Sequence, residues 1–198
     1  MKKILICGDS FASDWTVKYS GTTGWPNMLA NDYNVTNLAQ AGCSEYKIYL
    51  QLLNTDISKY DAVIVSHTSP NRIYVKRHPV HYNDVLHKHS DLLYTDITEH
   101  VKQNKSLRPI LDYYENYFDL DHAKFTHNLI CKEIEQYINQ FNIPVLHITN
   151  IDWTNLYTFS NTINFYSLFQ KQRGLINHYN DAGNITVYQT VKDFISRA

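Results

Sequence analysis

The sequence has no excess of charge of either sign, few cysteines and no long hydrophobic run. Eighteen lysines and arginines face 19 acidic residues, for a net charge of −1. A balance so near zero argues against a protein that holds nucleic acid or anionic membrane by bulk charge. The three cysteines, Cys7, Cys43 and Cys131, are odd in number and form no C-x-x-C pair. That argues against a disulfide framework or a zinc ribbon and points to a reducing compartment. No apolar stretch reaches the roughly 18 residues that a membrane span requires. After Met1-Lys2-Lys3 only Ile4 to Cys7 is apolar, too short for the core of a secretory signal. The expectation is a soluble cytoplasmic protein with neither nucleic acid nor membrane as partner. Also missing are G-x-G-x-x-G, a P-loop lysine and H-E-x-x-H, the usual marks of nucleotide sites and zinc-protease sites.

What is present suits one globular domain. The chain has 198 residues, 43% hydrophobic and 19% charged. A chain of this size buries about 70% of its unfolded surface and needs no covalent or metal staple. Its surplus is in tyrosine, with 16, and histidine, with 10. Rings with polar tips suit half-buried surfaces and sugar-like or planar ligands, and equally suit ordinary packing.

Strand and helix patterns alternate. Lys3-Ile4-Leu5-Ile6-Cys7 reads as a buried strand running into a turn at Gly8-Asp9-Ser10. Trp25, Met28, Leu29 and Ala30 have helical spacing, with Pro26 in the first turn. Asn34 to Ala39 reads as a second strand, and Ser44 as the cap of a helix carrying Tyr46, Ile48, Tyr49, Leu52 and Leu53. Asp61 to Ser66 is a third strand, apolar on both faces. Residues 107–141 are helical, with Asp119 or Asp121 as a restarting cap. Ile143 to Ile148 is a fourth strand, and Ala182 to Arg197 a closing helix with Ile185, Val187, Tyr188, Val191, Phe194 and Ile195 inward. Two stretches, about 70–105 and 150–176, have no clean period and read as irregular insertions. The alternation predicts βαβ units, a mainly parallel sheet and helices on both faces.

In open α/β sheets ligands collect beyond the carboxyl ends of the strands. There the sequence places Gly8-Asp9-Ser10-Phe11, Ala39-Gln40-Ala41-Gly42-Cys43-Ser44, His67-Thr68-Ser69-Pro70-Asn71-Arg72 and, before the last helix, His178-Tyr179-Asn180-Asp181-Ala182-Gly183. A serine hydroxyl is a weak nucleophile and needs a base such as histidine within reach. Acyl transfer also needs donors where an oxyanion develops, and a glycine peptide can approach without a Cβ in the way. Ser10, His178, Gly42 and an amide from the third loop supply those parts.

These blocks, with Trp25-Pro26-Asn27-Met28-Leu29-Ala30 and Asn37-Leu38-Ala39-Gln40-Ala41-Gly42-Cys43-Ser44, resemble the ordered blocks of the SGNH (GDSL-type) hydrolases. The resemblance implies a flavodoxin-like three-layer α/β/α sandwich and an esterase, lipase or carbohydrate deacetylase. It implies Ser10 as nucleophile, His178 as base, and the N–H groups of Ser10 and Gly42 with Asn71 as the oxyanion hole. Asp9 would hold the turn. No cofactor or metal is implied.

Two positions depart from the family pattern. Where the family has Gly-x-Asn-Asp after the third strand, this chain has Thr68 at the glycine and Pro70 at the asparagine, with Asn71 one residue late. The third donor is then Asn71 through a reshaped turn, or Ser69 or Thr68, or is missing; turn chemistry beside Pro70 is the other reading of Asn71. Where the family has an Asp three residues before the His, this chain has Leu175. His178 then works in a dyad, oriented by a backbone carbonyl or by a carboxylate from another loop, such as Asp152. Loss of that acid through a changed tautomer lowers turnover about 10⁴-fold in a triad. Arg72 reads either as an anion contact or as half of a surface ion pair.

His78, His81, His87 and His89, with Asp84 and Asp91, lack any ordered metal-ligand spacing and read as a solvated loop. The aromatic groups Tyr113-Tyr114 with Tyr117-Phe118, and Trp153 to Phe169, read as pocket walls in part and as core in part. The leading expectation is a serine hydrolase that cleaves an acyl ester, such as O-acetyl on a carbohydrate or similar small substrate. The competing one is a binding or structural module that keeps the hydrolase fold.

Overall fold

The structure, a computed structural model, describes residues 1–175 and 178–198. Its elements run β1 (Lys3–Gly8), α1 (Val17–Ser20), α2 (Trp25–Leu29), β2 (Asn34–Asn37), α3 (Glu45–Leu53), β3 (Ala62–His67), α4 (Tyr94–His100), α5 (Arg108–Asn116), α6 (Leu120–Asn139), β4 (Val145–Thr149), β5 (Thr162–Asn164), α7 (Tyr166–Lys171) and α8 (Asp181–Arg197). The strands form one sheet in the order β2-β1-β3-β4-β5, and every pairing is parallel.

The strands are apolar on both sides because each side is covered. Ile4, Ile6, Ile64, Leu146 and Ile148 pack with Trp25, Leu29, Val187, Val191 and Ile195 of α2 and α8. Leu5, Cys7, Val63 and Val65 pack with Ile48 and Leu52 of α3 and Ile134 and Ile138 of α6. The two layers follow from the strand period of two. None of the described helices is long and apolar enough to cross a membrane.

Several expectations change in detail. Ser44 stands at the N-cap of α3, but its hydroxyl makes no capping bond; its own N–H donates instead to Asp91 Oδ2 at 2.7 Å. Asp119 is the cap that restarts the chain at α6, accepting from the N–H groups of Asp121 and His122. Asn180 caps α8 by accepting from Gly183 N–H at 3.0 Å. On α8, Ile185 is exposed rather than inward. The stretch 150–176 contains β5 and α7. With only Thr162, Ile163 and Asn164, β5 is too short to show a period. It is identified by its pairing to β4. The stretch 70–105 packs Leu92 and Ile97 against Leu107, Leu111 and Tyr114 of the segment that follows it, and an antiparallel bridge joins Ile73 to Leu92.

The order 2-1-3-4-5 reverses direction between β1 and β3, which opens a crevice beyond their carboxyl ends. Ser10 follows one of these strands and Thr68 the other.

Candidate active site

β1 and β3 approach closely at Gly8, where a Cβ would stand 2.7 Å from the Ser66 Cβ. Only glycine tolerates that contact. The chain then turns through Asp9, whose Oδ1 accepts from Phe11 N–H at 3.0 Å and from the Ser66 hydroxyl at 3.2 Å. Ser10 sits at the head of the turn, and the Trp15 indole N–H donates to its carbonyl. Asp9 thus holds the turn, as the resemblance implied. Buried away from water, its carboxyl is pushed up to about 6.

Gly42 adopts φ +76°, and a Cβ there would lie 2.5 Å from the Ser90 Cβ. Its carbonyl accepts from Asp91 N–H at 2.9 Å and from Arg72 Nη1 at 3.0 Å. Asp91 also accepts from the N–H groups of Ser44 and Val75 and pairs with Lys47 at 2.7 Å, so the insertion is tied to the Gly42 loop. Among the described residues no acceptor faces the peptide N–H of Ser10 or of Gly42.

His178 lies half-buried between Phe11 and Trp15, with ring centroids 5.0 and 4.8 Å away. Leu175, at the position where the family carries its acid, is 67% exposed. Ile176 and Asn177, which separate it from His178, lie outside the described residues. Asp152 is exposed and its carboxylate is engaged by the N–H and hydroxyl of Thr154. It is not part of the cavity wall described next.

Ser10, Gly42 and His178 line one cavity of about 490 Å³, with Asp9, Thr68, Ser69, Arg72, Asp91 and Asp96. Asn71 is exposed and outside this lining, whereas Arg72, its neighbour, is inside. The third loop therefore presents Thr68, Ser69 and Arg72 to the crevice in place of an asparagine. The inclusion of Asp91 and Asp96 in this wall was not legible in the sequence, because they come from an insertion without period.

Behind Thr68 lies a buried polar cluster that the sequence did not single out. Glu45 Oε1 accepts from His67 Nδ1 at 2.6 Å, and Oε2 accepts from Thr68 N–H at 3.1 Å. His127 Nε2 donates to the Thr68 carbonyl at 2.9 Å and stands 3.4 Å from Glu45 Oε2. Burial works against ionisation of Glu45, but the charge of His67 and the bonds from His127 and His67 outweigh it and hold the carboxyl well below the usual range. His67 Nε2 meets His147 Nδ1 at 2.9 Å. Burial pushes the His147 imidazole well below its ordinary value, against the face of Phe159.

Two of the four histidines of the first insertion depart from the solvated-loop reading, whereas His89 is exposed and His87 pairs with Asp84 at the surface. His78 is buried and stacks on His81, and both face Asp96. One ligand atom each from His78, His81 and Asp96 lies within 4.8 Å of the others, the reach of a metal ion. The N–H groups of Val80 and His81, however, donate to His78 Nδ1 at 3.2 and 3.1 Å. That fixes the proton on Nε2, the nitrogen a metal would need bare. The arrangement fits a carboxylate held by imidazoles. Although burial opposes its ionisation, the bonds from His78 and His81 bring Asp96 down to about 2.

No protein-family model matches the sequence, and no curated protein is significantly similar to it. Among solved structures, one assigned to the G-D-S-L family of lipolytic proteins, from Desulfitobacterium hafniense DCB-2, is similar with a TM-score of 0.54 at 12% identity. The likeness covers 98% of this chain and 99% of that one. At that identity the likeness shows the fold alone. The chain, an α/β domain with a five-stranded parallel sheet, shares its fold with this G-D-S-L family structure.

Proposed function

We propose that this protein is a serine hydrolase that cleaves acyl esters, including O-acetyl groups on carbohydrate-like or other small molecules. One observation carries the reading. Ser10, Gly42 and His178, from three separate loops, line a single cavity, and the N–H groups of Ser10 and Gly42 have no acceptor among the described residues. Two uncommitted peptide donors beside a hydroxyl are what a developing oxyanion requires.

In this reading Ser10 Oγ attacks the ester carbonyl and His178 takes its proton. The carbonyl oxygen gains negative charge against the Ser10 and Gly42 N–H groups. The intermediate collapses, the alkoxide leaves with the proton from His178, and an acyl-serine remains. Water, deprotonated by His178, then releases the acid and restores Ser10. Asn71 has no part in this scheme. The fold of the G-D-S-L neighbour supports hydrolysis as the class of reaction.

A fluorophosphonate probe tests the proposal. Labelling of the wild type that is lost in Ser10→Ala and in His178→Ala, with parallel loss of p-nitrophenyl acetate hydrolysis, is the expected result. A folded wild-type protein that neither labels nor hydrolyses short esters would establish the competing reading, a binding module on a hydrolase fold. The departures at Leu175 and Pro70 favour that second reading.

A further inference from the structure

Arg72 is set into the wall that two cavities share. The first is the cavity of Ser10, Gly42 and His178. The second, about 400 Å³, is walled by rings including Tyr46, Tyr74, Tyr113 and Phe118, and Ser69 and Arg72 line both. The guanidinium is fixed, not loose. Nε donates to Thr68 Oγ1 at 3.1 Å and Nη1 to the Gly42 carbonyl at 3.0 Å. Thr68 is itself clamped at its N–H by Glu45 and at its carbonyl by His127.

Both partners of Arg72 are neutral. Among the described residues no carboxylate pairs with it. The acids in the two walls are otherwise engaged. Glu45 has His67 and Thr68 N–H, and Asp91 has Lys47 and two peptide N–H groups. Asp96 has His78 and His81, Asp119 has two helix N–H groups, and Asp9 has Phe11 N–H and the Ser66 hydroxyl. Arg72 favours the ionised form of Asp9 from a distance, without a contact. A half-buried cation held in place without a contacting counter-ion is costly unless something else brings one. A planar fork with Nη2 uncommitted matches a carboxylate or phosphate.

We propose that Arg72 binds an oxyanion group of the substrate, so that the preferred ester is an anion whose ring or chain lies in the aromatic cavity while its acyl group reaches Ser10. The substrate part of this inference rests on the hydrolase reading; the anion site does not. The test compares 4-acetoxybenzoate with phenyl acetate, an anionic and a neutral ester of similar size. The wild type is expected to show the higher kcat/KM with the anion, and Arg72→Gln to lower the ratio of the two by about tenfold, the worth of one charge-assisted contact. Equal use of both esters by the wild type, or a ratio unchanged in Arg72→Gln, overturns the proposal. An equal fall with both esters counts against it in the same way and would put Arg72 at the oxyanion or the loop. A binding arm keeps the two readings apart. Saturation-transfer NMR on Ser10→Ala should show 4-hydroxybenzoate bound in preference to phenol, and that preference lost in Ser10→Ala/Arg72→Gln. If neither ester is cleaved but the preference holds, the hydrolase reading falls and the anion site stands. If the preference is absent, the site falls as well. The wild-type and Ser10→Ala arms need no change at Arg72, so misfolding of Arg72→Gln leaves the proposal open to refutation.

Discussion

Asp9 and Glu45 are two carboxylates buried to the same degree, each 2% exposed, and their environments drive them in opposite directions. Asp9 receives one peptide N–H and one hydroxyl, both neutral, and burial pushes it up to about 6 against the pull of Arg72. Glu45 suffers the same burial, yet His67, His127 and Thr68 N–H converge on it and hold it ionised. Depth alone therefore does not set the charge of a buried acid here; the number and kind of donors around it do. The pair also divides the labour of the crevice. Asp9 shapes the turn that carries Ser10, and Glu45 shapes the loop that carries Thr68 and Arg72.

The comparison is broken most severely at Glu45. Glu45→Ala leaves the His67 and Thr68 donors buried without their acceptor. The expected cost is about 3–5 kcal/mol in urea unfolding, the range for breaking a buried charged pair. Glu45→Gln, which keeps an acceptor, should cost less. Because the folded-state value of Glu45 is depressed, its contribution is present above the ordinary carboxylate range and is lost as pH falls below it.

Asp9 predicts the opposite slope. Its folded-state value is raised from 3.8 to about 6, so the stability tied to its protonated form is full below 3.8 and is lost as pH rises through 6. The shift corresponds to roughly 3 kcal/mol over that window. Asp9→Asn, an uncharged mimic of the acid, should remove that part of the slope in unfolding curves taken between pH 3 and pH 7. A slope that is unchanged in Asp9→Asn would mean that the carboxyl is not held as described.

A smaller effect links the two regions. Arg72 lowers Asp9 through space, so Arg72→Gln should move the Asp9 transition above its wild-type pH in the same curves. The smallest effect is expected at Asp152, an exposed carboxylate bonded only within its own turn. Asp152→Asn should leave the urea midpoint and any ester hydrolysis where they are. A large loss of hydrolysis would instead make Asp152 the acid that orients His178.

Much of the frame was legible in local pattern. The apolar runs after Lys3, Asp61 and Ile143 became β1, β3 and β4, and the blocks that hold Gly8, Gly42 and His178 came together at one cavity. Asp119 was readable as a cap because a cap is a short-range signal. The site was only half legible. Asn71 and Arg72 are adjacent in sequence, and nothing local tells which one turns into the crevice. His78 and His81 looked like polar loop because the contacts they make, to Asp96 of α4, join two segments without a shared period.

The sequence by itself determined the alternation of strands and helices, because hydrophobic period and capping act over a few residues. It also determined which loops would meet, because parallel strands bring their carboxyl ends to one edge. Only the tertiary structure decided the charge state of Asp9 and Glu45, the burial of His78 and the placing of Arg72 between two cavities. Those properties depend on groups distant in the chain, such as Glu45 from His127 or Gly42 from Arg72, whose meeting no local pattern records.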